Sequence, residues 1–381
     1  MVGLGVSGPL TGVRIIELAG LGAAPFAAML LADMGADVLR LERGDPDAPQ
    51  ETTWDVLNRS RPSVAIDLKN DAGRALVLEL CASADIFLEG FRPGVTERLG
   101  LGPADVRAVN PRLVYGRMTG WGQEGPLSQR AGHDINYIAV SGALWPVGRR
   151  GEAPVPPLNY VGDFGGGALY LALGVVAALV HARAIGQGQV VDAAMVDGSA
   201  SMTAMTHALT AAGFWLDERG TNILDTGAPF YDVYETSDGG FVAVGAIESK
   251  FYENLVDGLG LAGELAAQMD REAWPETRRR FAEVFLTRSR DEWTAKFEGV
   301  DACVSPVLSP SEAPTHPYNE ARRVYVHDGA VQPHPAPRFS GTPSAISRPP
   351  QRAGSGTRDG LAAWGINDER QAALRVAGAF G

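Results

Sequence analysis

Cysteine is nearly absent from this 381-residue chain: Cys81 lies in an apolar helical run and Cys303 just before a candidate strand. Two cysteines so placed exclude a disulfide framework. The six histidines show no ligand spacing with them or with carboxylates, so no metal site is expected. Lysine is scarce too, occurring only at 69, 250 and 296, and the positive charge is almost all arginine. Cations are outnumbered, 33 Lys and Arg against 45 Asp and Glu, for a formal net charge of −12. That balance excludes general nucleic-acid binding, and a polyanionic ligand would need a local cluster of cations. Neither a basic leader with a cleavage site nor a sorting tag is present. The longest apolar run, 165–180, falls short of the about 20 residues that span a bilayer, so it reads as a buried helix and no membrane is expected. The expected setting is cytoplasmic.

What is present is the balance of a globular protein, 45% hydrophobic and 20% charged, with length enough for two domains. Short apolar strands alternate with helical stretches: strands at 13–18, 37–42, 63–67, 85–88 and 112–118, helices at 27–34 and 71–84. Repeated β-α units predict an α/β fold, a large open parallel-sheet, Rossmann-like domain with ligands beyond the carboxyl ends of its strands. A dinucleotide site is the first idea to test. Gly20-x-Gly22 follows the first strand and Glu42 lies about 20 residues on, but Pro25 stands where the third glycine belongs, so the fingerprint is incomplete.

Cations recur where those strands end: Arg43, Lys69, Arg92 and Arg98. Loop arginines are usually solvated. Their recurrence along one sheet edge, and the fit of a guanidinium fork to phosphate oxygens, favour a phosphorylated ligand there. Further along, Gly132-His133-Asp134-Ile135-Asn136-Tyr137 sets a possible base at a helix start. Gly162-Asp163-Phe164-Gly165-Gly166-Gly167 sets a carboxylate in a glycine-framed turn before another helix. Two bases on two loops suit proton removal on one side of a carbon and return on the other. Each has a plainer account, His133 as a helix-start histidine and Asp163 as a cap of the helix near Gly165; a third acidic residue, Glu248, reads as a cap of the helix from Ser249.

Character changes near Asp217. A hairpin over 233–247 and helices at 249–259, 276–286 and 291–296 predict a smaller α+β domain over 226–317. Residues 1–225 form the first part of the large domain and 318–381 return to it. Residues 341–356, rich in Ser, Pro and Gly, read as mobile, and 358–376 as helical.

Taken together, the Gly132–Tyr137 and Gly162–Gly167 motifs resemble those of the α-methylacyl-CoA racemases of the family III CoA-transferase superfamily. The likeness extends through Arg92-Pro-Gly-Val-Thr-Glu-Arg98, Thr119-Gly-Trp-Gly-Gln, Val191-Asp-Ala-Ala-Met-Val-Asp-Gly and Val244-Gly-Ala-Ile-Glu248, nearly the whole chain. It implies an interlocked homodimer whose active site joins the large domain of one subunit to the small domain of the other. It also implies bases at His133 and Asp163, and Glu248 orienting the histidine. The implied CoA contacts are Arg43, the segment Ile66, Asp67, Leu68 and Lys69, then Gly90, Phe91, Arg92 and Arg98, and finally Gly132, Asp134, Ile135, Asn136 and Tyr137. The stretch between Arg43 and Ser60 is longer than the family's, and Asn58-Arg59-Ser60-Arg61 offers further cations nearby. CoA is then part of the substrate, a 2-methylacyl thioester, and no separate cofactor is implied. The competing readings are a transferase of the same superfamily with Asp163 as nucleophile, and a non-catalytic acyl-CoA-binding protein.

Overall fold

The structure, a computed structural model, describes residues 8–44 and 52–380. The part of the long stretch after Arg43 that runs from 45 to 51 lies outside the described residues. Contacts divide the chain into one unit of Met1–Ser141, Leu158–Met202 and Pro317–Gly381 and a second of Gly142–Pro157 and Thr203–His316. Compared with the sequence reading, residues 142–157 and 203–225 fall in the second unit. Long-range bonds invisible to local pattern hold them there: Trp145 donates to the Asp217 carbonyl at 2.8 Å and Arg149 pairs with Asp232 at 2.7 Å.

The first unit opens with β1 (Arg14–Leu18), α1 (Ala23–Asp33) and β2 (Asp37–Glu42). It continues through β3 (Ser63–Ala65), α2 (Asp71–Cys81), β4 (Ile86–Glu89), α3 (Val95–Arg98), α4 (Pro103–Val109) and β5 (Val114–Thr119). Asn70 starts α2 by accepting the Ala72 N–H at 2.8 Å, the usual service of an N-cap side chain. Then come α5 (Asp134–Val140), a π-helix (Tyr160–Ala168), α6 (Leu169–Ile185), β6 (Val190–Ala194) and α7 (Met195–Met202). The six strands pair in parallel in the order β3-β2-β1-β4-β5-β6. β4 and β5 are buried along their whole length, as a parallel sheet covered on both faces requires.

One expectation needs correction here. Tyr160–Ile185 is a continuous helix of 26 residues, long and apolar enough by length and composition alone to cross a membrane. The apolar run undercounted it because the helix begins among polar and glycine residues. Leu171, Val175, Ala178 and Ala182 lie in the core against α1 and the sheet, while Leu169, Leu173 and Val180 are exposed. It is a core helix with one uncovered apolar face.

The second unit holds α8 (Ala204–Ala211), β7 (Tyr231–Glu235), β8 (Phe241–Gly245), α9 (Ser249–Leu259), α10 (Trp274–Phe285), α11 (Arg290–Phe297) and β9 (Val304–Pro306). Its strands form an antiparallel sheet in the order β7-β8-β9. Its core is aromatic, built on Phe230, Tyr234, Trp274, Phe281, Phe285 and Trp293.

The chain then returns to the first unit through α12 (Pro317–Arg322), the hairpin β10 (Tyr325–Asp328) and β11 (Ala330–Pro333), α13 (Thr357–Ala363) and α14 (Asp368–Val376). The segment expected to be mobile is hydrogen-bonded at several points: Ala345 N–H to the Asp33 carbonyl, Gly354 N–H to Ser63 Oγ and Gly356 N–H to the Ser63 carbonyl. Its composition reflects irregular backbone, but its partners come from far away in sequence. The cations at 59 and 61 also differ from expectation. Arg59 pairs with Asp33 at 2.6 Å and Arg61 with Glu17 at 3.1 Å, all four side chains being buried. They hold the fold and do not face a ligand groove.

Candidate active site

Two cavities lie at the carboxyl ends of the sheet strands. One, of about 260 Å³, is bounded by Gly20 and Leu21 after β1, Gly90–Pro93 after β4, Met118–Trp121 at the end of β5, and Gly132, His133 and Tyr137. β1 and β4 are where the strand order reverses, the crevice in which open α/β sheets bind ligands. The other, of about 1010 Å³, runs across the ends of β1, β2 and β3. Phe91 borders both.

The loop carrying Phe91 and Arg92 is fixed from below. Buried Glu89 at the end of β4 accepts the Phe91 N–H at 2.7 Å, and Arg117 on β5 neutralises that carboxylate at 2.8 Å. Across the smaller cavity, the Tyr137 ring meets Trp121 edge-on at 4.8 Å and its hydroxyl donates to the Gly132 carbonyl. That contact sets the backbone just before His133.

His133 occupies the N-cap position of α5, but its imidazole makes no capping hydrogen bond. Asn136 does the local work instead, its side chain accepting the His133 N–H at 3.0 Å. The ring is left exposed at the cavity. Asp134, next in sequence, is buried, and its Oδ2 accepts the N–H groups of Gly162 at 2.6 Å and Asp163 at 2.7 Å. One carboxylate therefore ties the histidine's loop to the backbone of the second acid.

Asp163 was expected in a turn before a helix; it lies within the π-helix itself. Glycine-rich sequence tolerates the wider π turn, and such turns concentrate at functional sites. A Cβ on Gly162 would stand 2.8 Å from Asp134 Oδ2, so this position has room for glycine only. At Gly166 and Gly198 the π-helix and α7 touch backbone to backbone, which any side chain would prevent. Phe164 stacks on Phe26 of α1 with centroids 4.5 Å apart. The turn is thus held on several sides.

The Asp163 carboxyl is half-buried and makes a long hydrogen bond from Asn159 Nδ2 at 3.4 Å. Burial pushes its pKa above the ordinary aspartate range, and the negative charge of Asp134 pushes the same way. The Asn159 hydrogen bond and the charge of His133 pull against them. His133 and Asp163 are therefore in electrostatic reach of one another, and the acid is biased toward its protonated form.

The residues expected to bind a CoA divide among three places. Arg43, Ile66, Asp67, Leu68, Lys69 and Phe91 line the larger cavity, and Gly90, Phe91, Arg92, Gly132 and Tyr137 line the smaller. Arg98, Asp134, Ile135 and Asn136 line neither. Arg98 closes α3 near Gly94, Ile135 is an exposed apolar side chain, and Asp134 and Asn136 bind the protein's own backbone. Glu248 belongs to the second unit, exposed at the N-cap position of α9 without a capping hydrogen bond. Its charge, after burial, raises the pKa of the Cys303 thiol.

Sequence reasoning missed Asn159, Phe26 and Glu89. Asn159 was detectable, because it precedes Asp163 by four residues, the spacing of helical neighbours. Phe26 and Glu89 carry no such local mark.

The sequence matches the model of CoA-transferase family III over residues 10–357. The chain belongs to this family. Among family III relatives, it is 46% identical to an alpha-methylacyl-CoA racemase of Mus musculus over 94% of both chains. It is 45% identical to an alpha-methylacyl-CoA racemase of Homo sapiens over 89% of this chain and 88% of that one. In fold it is similar to a CAIB/BAIF family protein from Brucella suis, with a TM-score of 0.80 and 23% identity, covering 94% of this chain and 100% of that one.

Proposed function

We propose that this protein is an isomerase that interconverts the (R) and (S) forms of 2-methylacyl-CoA thioesters by moving the α-proton between two bases through an enolate. The observation that carries the reading is the Asp134 tie, which sets the His133 loop against the backbone of Asp163 while burial biases that acid toward protonation. The racemase relatives support it at 46% and 45% identity.

A proton next to a thioester carbonyl is weakly acidic, so the reaction needs a positioned base and a stabilised enolate. In one direction neutral His133 takes the α-proton and protonated Asp163 delivers one to the opposite face. In the other, the carboxylate takes and the imidazolium gives. The free backbone N–H groups at the start of a helix are natural partners for an oxyanion, which assigns the enolate oxygen to the Asp134 N–H. The CoA moiety runs from the smaller cavity past Phe91 into the larger, its phosphates met by Arg43, Lys69 and Arg92. The thioester brings its own CoA, and no further cofactor enters this scheme.

The working form in this proposal is a homodimer in which Glu248 orients His133 of the partner subunit. The uncovered apolar face of α6 supports a second copy, since exposed apolar stripes of this kind mark association surfaces. Co-refolding His133→Ala with Glu248→Ala chains should then restore part of the activity.

Incubation with each 2-methylacyl-CoA stereoisomer in D₂O tests the chemistry. The expected result is interconversion, with deuterium entering at C2 and no acceptor acid required. Transfer of CoA to an added carboxylic acid, with C2 keeping its hydrogen and configuration, would replace this reading by a transferase in which Asp163 is the nucleophile.

A further inference from the structure

The larger cavity has a wall that none of the expected CoA residues supplies: Arg352, Ala353, Gly354 and Ser355, with Phe380 beside them. This wall follows from the sheet. β3 is the outermost strand, and an uncovered edge presents unpaired backbone groups. The returning chain covers it. Ser63 N–H donates to Gln351 Oε1 at 3.1 Å, Gly354 N–H to Ser63 Oγ at 2.7 Å, and Ala65 N–H to Thr357 Oγ1 at 2.8 Å. Beyond the strand, Asp67 N–H donates to the Ala379 carbonyl at 2.8 Å. Gly354 takes a left-handed backbone (φ +75°) within this loop. Arg352 is thereby carried on bonded backbone to the wall of a cavity that Arg43 and Lys69 also line.

Among the described residues the cavity's lining carries three cations, Arg43, Lys69 and Arg352, and two carboxylates, both of which serve the protein itself. Glu42 accepts from Arg40 at 2.7 Å and from the Ser63 hydroxyl, and Asp67 accepts the Lys69 N–H at 2.9 Å. At about 1010 Å³ the cavity sits at the upper end of small-molecule sites, with room for a nucleotide.

The sheet order also supplies a ruler. The reacting end lies at β4 and β5, near His133, and Arg352 lies at the far edge beyond β3. From β4 to β3 is roughly 14 Å at about 4.8 Å per strand. A CoA thioester is a linear ligand: its diphosphate lies mid-chain, and its remaining phosphate, the ribose 3′-monoester, is at the end opposite the thioester. We propose that Arg352 is a specificity-determining residue that binds this 3′-phosphate and so distinguishes CoA from nucleotides or CoA precursors that lack it. The proposal rests on the acyl-CoA reading above.

Calorimetric titration of the full chain with CoA and with 3′-dephospho-CoA tests it. The wild type should prefer CoA, and Arg352→Gln should weaken CoA about tenfold or more, the scale of one charge-assisted hydrogen bond. The 3′-dephospho-CoA affinity should stay unchanged, which also shows that the loop is still in place. Arg352→Lys should recover part of the preference. If Arg352→Gln weakens both ligands alike, or neither, the assignment is overturned while the acyl-CoA reading stands. A wild type that binds neither ligand overturns both.

Discussion

The two cavities that share Phe91 are built differently at their ends. At the end proposed to react, position is set through backbone: Asp134 grips two consecutive N–H groups, glycine fills the only space Gly162 can occupy, and Phe164 is stacked on Phe26. At the end proposed for the nucleotide, side-chain cations arrive from separate elements, Arg43 after β2, Lys69 after β3 and Arg352 on the returning loop. Proton transfer fails when atoms are misplaced by about an ångström, whereas a phosphate is attracted over several ångströms and tolerates a looser frame. Changes at the first end should therefore fall on kcat and changes at the second on KM.

The largest expected effect lies beneath both ends. Arg61 Nη1 meets Glu17 at 3.1 Å in the sheet and also donates to the Pro25 carbonyl at 2.8 Å. Arg61→Leu strands a carboxylate in the core, and removing one member of such a pair costs about 3–5 kcal/mol. Urea unfolding should register that loss, and both kinetic parameters should suffer together. His133→Ala comes next, with kcat falling by about 10²- to 10⁴-fold in stereoisomer interconversion and CoA affinity nearly untouched. A parallel fall in calorimetric CoA affinity would mean that the histidine binds rather than reacts.

Gly162→Ala sharpens the contrast without removing any functional group. Its methyl must displace the Asp134 carboxylate or the π turn, so kcat should drop by about tenfold or more while KM moves little. Arg43→Ala is the counterpart at the other end. A several-fold rise in KM at constant kcat is expected, and a kcat loss there would erase the division of labour. The smallest effect is on pH dependence. In the direction where Asp163 donates, activity is lost as pH rises through its raised pKa. Asn159 opposes that rise, so Asn159→Ala should move this limb of the pH–rate profile to higher pH. A shift to lower pH would mean that Asn159 stabilises the protonated acid.

Much of this design was legible in the chain. β2 and α9 fall where periodicity and flanking residues put them, and the alternation of strand and helix foretold the parallel sheet. The two proposed bases drew attention in the sequence because His133 and Asp163 sit in motifs dense in glycine. Their mutual tie did not, since it joins residues 28 and 29 positions apart through one carboxylate. Arg59 and Arg61 looked like available cations because their partners, Asp33 and Glu17, precede them by more than a helical turn's reach. The π-helix escaped because glycine runs signal only weak α-helix, without indicating what replaces it.

The cover on β3 has a consequence for how the protein is made. Ser63 and its partner Gln351 are 288 residues apart, and the second unit is synthesised between them. At about 5–20 residues per second, a ribosome needs roughly 15–60 s to cross that interval. Throughout it, the nascent sheet has an open edge ready to pair with any other extended strand. The hazard lasts until the returning loop emerges, and the same event that ends it completes the wall of the larger cavity.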